Sequence, residues 1–450
     1  MTPPRPAQVR IGAGAGFSGD RIDPAVELAR SGDLDFLVFE CLAERTIALA
    51  QAARSADPAA GYDPGLAARL RAVLPLCADR GVRIITNMGA ANPRGAADHA
   101  ASIARELGLA GLRIAAVSGD DVLGPVIATD PPVLGGTQPL SSLVAGQLLS
   151  ANAYLGADPI VDALDAGAQL VITGRVADPS LFVGPLRHAF GWRADDWTRL
   201  GRATAVGHLL ECAGQLTGGY FADPGVKDVP GLARLGFPWA EVTADGDALL
   251  GKVEGSGGRL DVRTCTEQLL YELNDPRRYL TPDVTADFSN IRFEAVSVDR
   301  VSVSGGAGAP APRQLKVSVG YHDGFRGEGQ ISYGGPGAEA RGQLALEIIR
   351  ERLRMGGEPV HDVRYDLIGL NAVAFGSAAD DAPAEVRARV AGRADTLEAA
   401  QRIGAEVEAL FTNGPAGGGG VATRASAVVA IASVLIPRAW AMPRFDMVVA

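Results

Sequence analysis

The sequence predicts an α/β protein: a mainly parallel sheet in an N-terminal domain over 1–230, a β-rich middle lobe over 231–335, and an α/β C-terminal region over 336–450. Three observations carry this reading. Residues 8–185 alternate short apolar runs with amphipathic segments, the pattern of parallel β-α units. The middle lobe holds alternating or β-branched runs such as "NIRFEAV", "RVSVSG" and "QLKVSVGYH", which suit antiparallel strands. The last region returns to helix and strand, with the loop "NGPAGGGG" and the apolar stretch "SAVVAIASVLIP".

Within the first region, strands are expected near 9–12, 35–40, 82–86, 112–117 and 169–173. Helical patterns lie between them, near 24–30, 44–53, 65–79, 96–107 and 159–166. In such a sheet ligands bind at the carboxyl ends of the strands. The loops there read "GAGFSGDR", "ECLAER", "TNMGAANPR", "SGDD" and "TGRVADPS", rich in Asp, Asn, Arg and Gly, while the loops at the opposite ends are plain. This asymmetry marks one rim of the sheet as the functional one.

Composition excludes several classes. The net charge is −10 and no basic stripe offsets it, which argues against a nucleic-acid partner. No apolar run is long enough to cross a membrane and "MTPPRPAQVR" has no apolar signal core, so a cytoplasmic protein is expected. Cys41, Cys77, Cys212 and Cys265 are widely spaced with no C-x-x-C, unlike a disulfide framework or a zinc site.

Gly14, Gly16 and Gly19 spell G-x-G-x-x-G, with Glu40 about twenty residues on, which outlines a dinucleotide fingerprint. In that fingerprint the third glycine lies within the first helical turn. Here Asp23-Pro24 is the helix-start signal, so 17–22 reads as an exposed loop carrying Asp20 and Arg21. The glycines then serve the approach of another ligand. Asp20 and Arg21 face the rim or form a surface ion pair.

One helix stands out. In "GRATAVGHLLECAGQLTGG", His208, Glu211, Cys212 and Gln215 fall on one stripe of an otherwise apolar helix. His208, its charge set by Glu211, suits a general base. Cys212 beside it suits a nucleophile. The plainer alternative is a packing histidine and an inert thiol. Arg175 suits a carboxylate or phosphate, while Asp178-Pro179 serves equally as a helix cap. Asn87 and Asn92 offer amides to an anion or make turns. Glu40 and Glu44 form a carboxylate pair or, for Glu44, a first helical turn. Thr264 and Glu267 read as a capping box, and Lys252 is one of three lysines in the chain. The backbone of Gly417, Gly418 and Gly419 can cradle an anion, though the G-K-[ST] of a P-loop is missing. No cofactor is firmly expected. Asp20, Glu40 and Asp178 suit an oxygen-rich divalent-metal site.

Long motifs resemble the acyclic terpene utilisation (AtuA-type) family: "GAGFSGDR", "TNMGAANP", "AYLGADPIVDALDAGAQLVITGRVADPSLFVGPL", "GHLLECAGQLTGGYFADP" and "TEQLLYELNDPRRYLTPDVTADF". "NGPAGGGG" resembles its C-terminal signature. The resemblance covers nearly the whole chain. It implies a cytoplasmic bacterial protein associated with acyl-CoA breakdown, such as that of citronellol or geraniol, or with specialised biosynthesis. Longer members carry an extra small C-terminal domain, so a small partner protein or independent action is expected. Together these readings give an enzyme, expected to be a homo-oligomer, acting on a branched or terpenoid acyl-CoA or carboxylic acid. Lyase or hydratase chemistry by His208 and Glu211 is expected. The rivals are a Cys212-dependent acyl transferase or thioesterase, and a non-catalytic acyl-CoA-binding subunit.

Overall fold

The computed structural model describes residues 6–144, 148–373 and 383–450. It divides into two compact units. The first comprises Met1–Leu143, Leu149–Gly320 and Ile431–Ala450; the second comprises Val144–Leu148 and Tyr321–Ala430.

The first unit begins as alternating strands and helices: β1 (Gln8–Ala15), α1 (Asp23–Ser31), β2 (Phe36–Phe39), α2 (Glu44–Ala56), α3 (Leu66–Arg80), β3 (Arg83–Thr86), α4 (Pro93–Glu106) and β4 (Arg113–Ser118). Short helices α5 (Leu123–Thr129) and α6 (Leu140–Leu143) precede β5 (Leu148–Ala153), α7 (Asp158–Asp165), β6 (Leu170–Thr173), α8 (Ser180–Phe190) and α9 (Trp197–Leu210). Then come β7 (Pro238–Thr243), β8 (Ala248–Lys252), α10 (Val262–Leu270), β9 (Tyr279–Leu280), β10 (Thr285–Asp287), β11 (Arg292–Ser297), β12 (Arg300–Ser304) and β13 (Ala307–Ala309).

One sheet runs in the order β11-β12-β8-β7-β1-β2-β3-β6-β4, closed by the strand Arg444–Val449. Its centre, β1-β2-β3-β6-β4, is parallel, and both wings are antiparallel. The stretch read as a β-rich middle lobe therefore supplies one wing of the same sheet, and its last residues, from Tyr321, belong to the second unit. The central strands Phe36–Phe39 and Leu170–Thr173 are buried throughout, as a sheet covered on both faces requires. From β3 the chain crosses to β4 and then returns to β6, which lies between them. Because crossovers are right-handed, this reversal puts α7 on the face opposite α1, α3 and α4. It also creates a switch point, where strand ends part.

Local signals place the helices. Pro24 stands in the first turn of α1, confirming the start read at Asp23-Pro24. Asn92 caps α4, accepting from the Gly95 amide at 3.0 Å, with Pro93 next. α9 is buried from Ala203 to Leu210. Its Gly201 and Gly207 allow that: a Cβ at Gly201 would meet the Ala307 carbonyl oxygen at 2.0 Å, and one at Gly207 would meet Pro179 at 2.9 Å.

The second unit packs helices Ala338–Met355 and Leu397–Glu408 on an antiparallel sheet that includes Val360–Ile368 and Glu385–Ala394.

Candidate functional site

Gly14, near the end of β1, and Gly16, just after it, serve packing. A Cβ at Gly14 would lie 2.7 Å from the Phe39 ring, and one at Gly16 only 2.4 Å from the backbone of Cys212. Gly16 thus lets the β1 loop touch the end of α9. Asp20 does not pair with Arg21. Its carboxylate accepts from the Gly16 amide at 2.6 Å, while Arg21 donates to the Leu232 and Ala233 carbonyls. Burial raises the Asp20 pKa above the usual carboxylate value. Arg69, itself buried, holds the loop through the Ser18 carbonyl at 2.7 Å.

Beneath the rim runs a chain of buried polar groups drawn from four strand ends. After β2, Glu40 accepts from the Leu42 amide and from Nδ2 of Asn87, each at 2.9 Å, while Oδ1 of Asn87 accepts from the Cys41 amide at 2.7 Å. Burial pushes the Glu40 carboxyl well up, and Asp178 adds to this. After β6, Arg175 is 1% exposed and fully engaged. It donates to the carbonyls of Leu42 and Val176 and to Asp178, and stacks over the Tyr154 ring at 4.4 Å. Its backbone amide donates to Asp120 at 3.0 Å.

These partners revise two expectations. Arg175 spends its guanidinium inside the fold, so it has no free fork for a substrate carboxylate. Asp178 pairs with Arg175 instead of capping α8, whose N-cap is Pro179. Glu44 lies in the first turn of α2 and accepts from the Tyr154 hydroxyl and from Lys316. Burial would raise its pKa, but these donors outweigh it and hold it at about 2.

The His208 stripe is shorter than expected. α9 ends at Leu210; Ala213 sits at φ 42°, and Ala213–Gln215 is a separate 3-10 turn. His208 and Glu211 do meet: Nδ1 lies 2.8 Å from Oε1, and Nε2 lies 3.1 Å from the Leu269 carbonyl. A carbonyl only accepts, so Nε2 carries a proton. The Tyr279 and Phe288 rings flank the imidazole at 5.0 and 5.7 Å. Oε2 of Glu211 is buried with no hydrogen-bond partner among the described residues. Burial pushes the Glu211 carboxyl up to about 7 against the pull of His208, with Asp178 and Glu272 adding to the rise. Burial alone would lower His208; the Glu211 charge outweighs it and raises the pKa. Cys212 is raised by burial first and by Glu211 second.

Cys212 opens onto a pocket of about 590 Å³. Phe17, Tyr220, Leu232, Leu235, Phe237 and Tyr271 give it apolar walls, and Asp20, Arg21 and Gln215 add polar groups.

Other singled-out residues have structural duties. Asn92 caps α4 and donates to the Pro58 and Ala60 carbonyls. The capping box of α10 is Asp261 with Thr264, and Glu267 pairs with Lys227. Lys252 is buried against Asp299 at 3.0 Å. Gly417, Gly418 and Gly419 lie in the second unit; a Cβ at Gly418 would crowd Ile331 and Tyr333. Among the described residues, no three His, Cys, Asp or Glu side chains are arranged to hold a metal ion, so Asp20, Glu40 and Asp178 do not form such a set. Nor is any helix among them long and apolar enough to cross a membrane. In the sequence Tyr154 and Tyr279 stand out only as parts of the motifs "AYLGADP" and "NDPRRYL" that carry the resemblance, and nothing singles out Asn152.

Comparison with known proteins identifies a family. The family model described as "Acyclic terpene utilisation family protein AtuA" matches residues 9–447. No curated protein and no solved structure matches the chain.

Proposed function

The chain belongs to the acyclic terpene utilisation family AtuA, and from that membership we propose an enzyme that moves a proton on a branched or terpenoid acyl thioester. The observation that carries the reading is Glu211. One of its oxygens is bonded to His208, the other is buried and unpartnered among the described residues, and its pKa is raised to about 7. A buried oxygen without a donor costs about 1–3 kcal/mol, which a substrate proton would relieve. A carboxyl poised near neutrality both gives and takes protons at physiological pH.

The roles shift from those the sequence suggested. Both nitrogens of His208 are committed, so His208 is a positioning residue and Glu211 the proton carrier. The apolar walls beside Cys212 suit a methyl-branched chain. In the dehydration direction, Glu211 takes a proton from the carbon beside the thioester carbonyl and returns it to the hydroxyl on the next carbon, which leaves as water to give an unsaturated thioester; the hydratase direction is the reverse. Cys212 is an unfavourable nucleophile here, because burial keeps it as a thiol and His208 is not free to deprotonate it.

The test is hydration of the geranyl thioester of coenzyme A, which carries the 2,3 double bond, by the wild type and by Glu211→Gln and His208→Gln. Glu211→Gln is expected to lose about 100-fold or more. His208→Gln is expected to lose less and to shift the pH profile. Full activity in Glu211→Gln overturns the assignment, and loss of activity in Cys212→Ser alone would restore the thiol reading.

A further inference from the structure

A second cavity, of about 340 Å³, opens at the other end of the parallel rim. β1 and β4 are four strand spacings apart, about 19 Å at ~4.8 Å each, so this cavity is distinct from the one beside Cys212. It lies where β4 ends, at the switch point made by the return from β4 to β6.

Its inner wall is a built polar site. Asp120 is 5% exposed, and its Oδ2 takes both hydrogen bonds from other residues, from Nδ2 of Asn152 at 2.8 Å and from the Arg175 amide at 3.0 Å. No other residue among those described donates to its Oδ1; the one further donor to the carboxylate is the backbone amide of Asp120 itself. Position 174 is a glycine, and a Cβ there would come within 2.6 Å of Oδ1. Asn152, 1% exposed, is oriented in turn by Gln51, whose Nε2 donates to its Oδ1 at 3.4 Å.

The rest of the lining is mixed in charge, with three arginines against two aspartates. Arg54 donates to the Ala91 carbonyl and Arg94 pairs with Asp98, but Arg444 has no partner among the described residues. The other charged groups lining the cavity are Asp121 and Asp446, and Asp446 acts on Arg94. A buried acceptor inside and an uncommitted guanidinium at the mouth define a bifunctional ligand. The volume holds roughly ten non-hydrogen atoms at the ~30 Å³ of a liquid water molecule.

We propose that this cavity binds a small carboxylate carrying a hydrogen-bond donor, ammonium or hydroxyl, at its far end, with the donor on Asp120 and the carboxylate on Arg444. The site is independent of the thioester reading. Burial pushes Asp120 up to about 6, so it is mainly a carboxylate at pH 7.5.

The full chain is titrated calorimetrically at pH 7.5 with β-alanine, γ-aminobutyrate, 3-hydroxybutyrate and 4-hydroxybutyrate, against butyrate and butylamine as single-ended controls. At least one bifunctional compound is expected to bind tenfold or more tightly than either control. An amino acid as the tightest binder assigns the donor as ammonium, and a hydroxy acid assigns it as hydroxyl. Asp120→Asn and the surface change Arg444→Ala are each expected to weaken that compound at least tenfold. If Asp120→Asn does not fold, Arg444→Ala decides. Equal binding of butyrate, binding by no member of the panel, or unchanged affinity in Arg444→Ala overturns the proposal.

Discussion

Replacing Arg175 by Met should cost the first unit about 3–5 kcal/mol. The side chain is almost wholly buried and joins four elements: its own strand end, the β2–α2 loop through the Leu42 carbonyl, Asp178 ahead of α8, and the Tyr154 ring. Met fills a similar volume but donates nothing. Removing one partner of a buried ion pair typically costs about 3–5 kcal/mol. Asp178 keeps a 36% exposed side chain and can turn to water, which pulls its share to the low end. The Leu42 and Val176 carbonyls cannot, and each unsatisfied buried group costs about 1–3 kcal/mol. Glu40 also loses the cation that restrains its pKa, so it should become more fully protonated. The assay is guanidinium denaturation followed by circular dichroism, fitting the first unit's transition separately where two are resolved. Arg175→Lys should recover little, because an ammonium cannot reproduce the planar fork. A loss below about 1 kcal/mol in Arg175→Met would refute the view that this guanidinium holds the strand ends together.

Gly16→Ala should destabilise by about 1–3 kcal/mol, because the new Cβ must displace the Cys212 backbone; Gly124→Ala, in α5 with open space around it, should be neutral or mildly stabilising in the same melts. Glu44 has a folded pKa lowered to about 2, so its stabilising share is present above the unfolded value near 4.5 and lost as pH falls towards 2. Its side chain is partly open to solvent, so Glu44→Gln should cost only about 1 kcal/mol at pH 7 and nothing near pH 2 in urea titrations at both pH values.

The fold's centre was legible because its signals are local. Unbroken apolar runs such as Phe36–Phe39 mark buried parallel strands, and Asp23-Pro24 marks a helix start, whereas the Asn92 cap of α4, read as a turn or an anion-binding amide, emerges only from the structure. The pairing of β11, β12, β8 and β7 onto β1 was not, since an antiparallel strand reads the same in a separate lobe as in a wing of the main sheet. At the site, the three-residue spacing revealed the His208–Glu211 contact. Their roles depended on partners 61 residues away for His208 and 133 for Arg175, which no local pattern encodes. Spacing also ran the helix on to Gln215, whereas the left-handed Ala213, followed by Gly214, ends it.

The most direct test of the account is the protonation of Glu211 itself, which needs no substrate. Protein carrying ¹³C-labelled glutamate carboxyls is titrated by NMR in the wild type and in Glu211→Gln. A carboxyl resonance that titrates near pH 7 in the wild type and vanishes in the variant is the predicted result. If the resonance lost in Glu211→Gln titrates below pH 5 in the wild type, Glu211 is an ordinary carboxylate and cannot be the proton carrier.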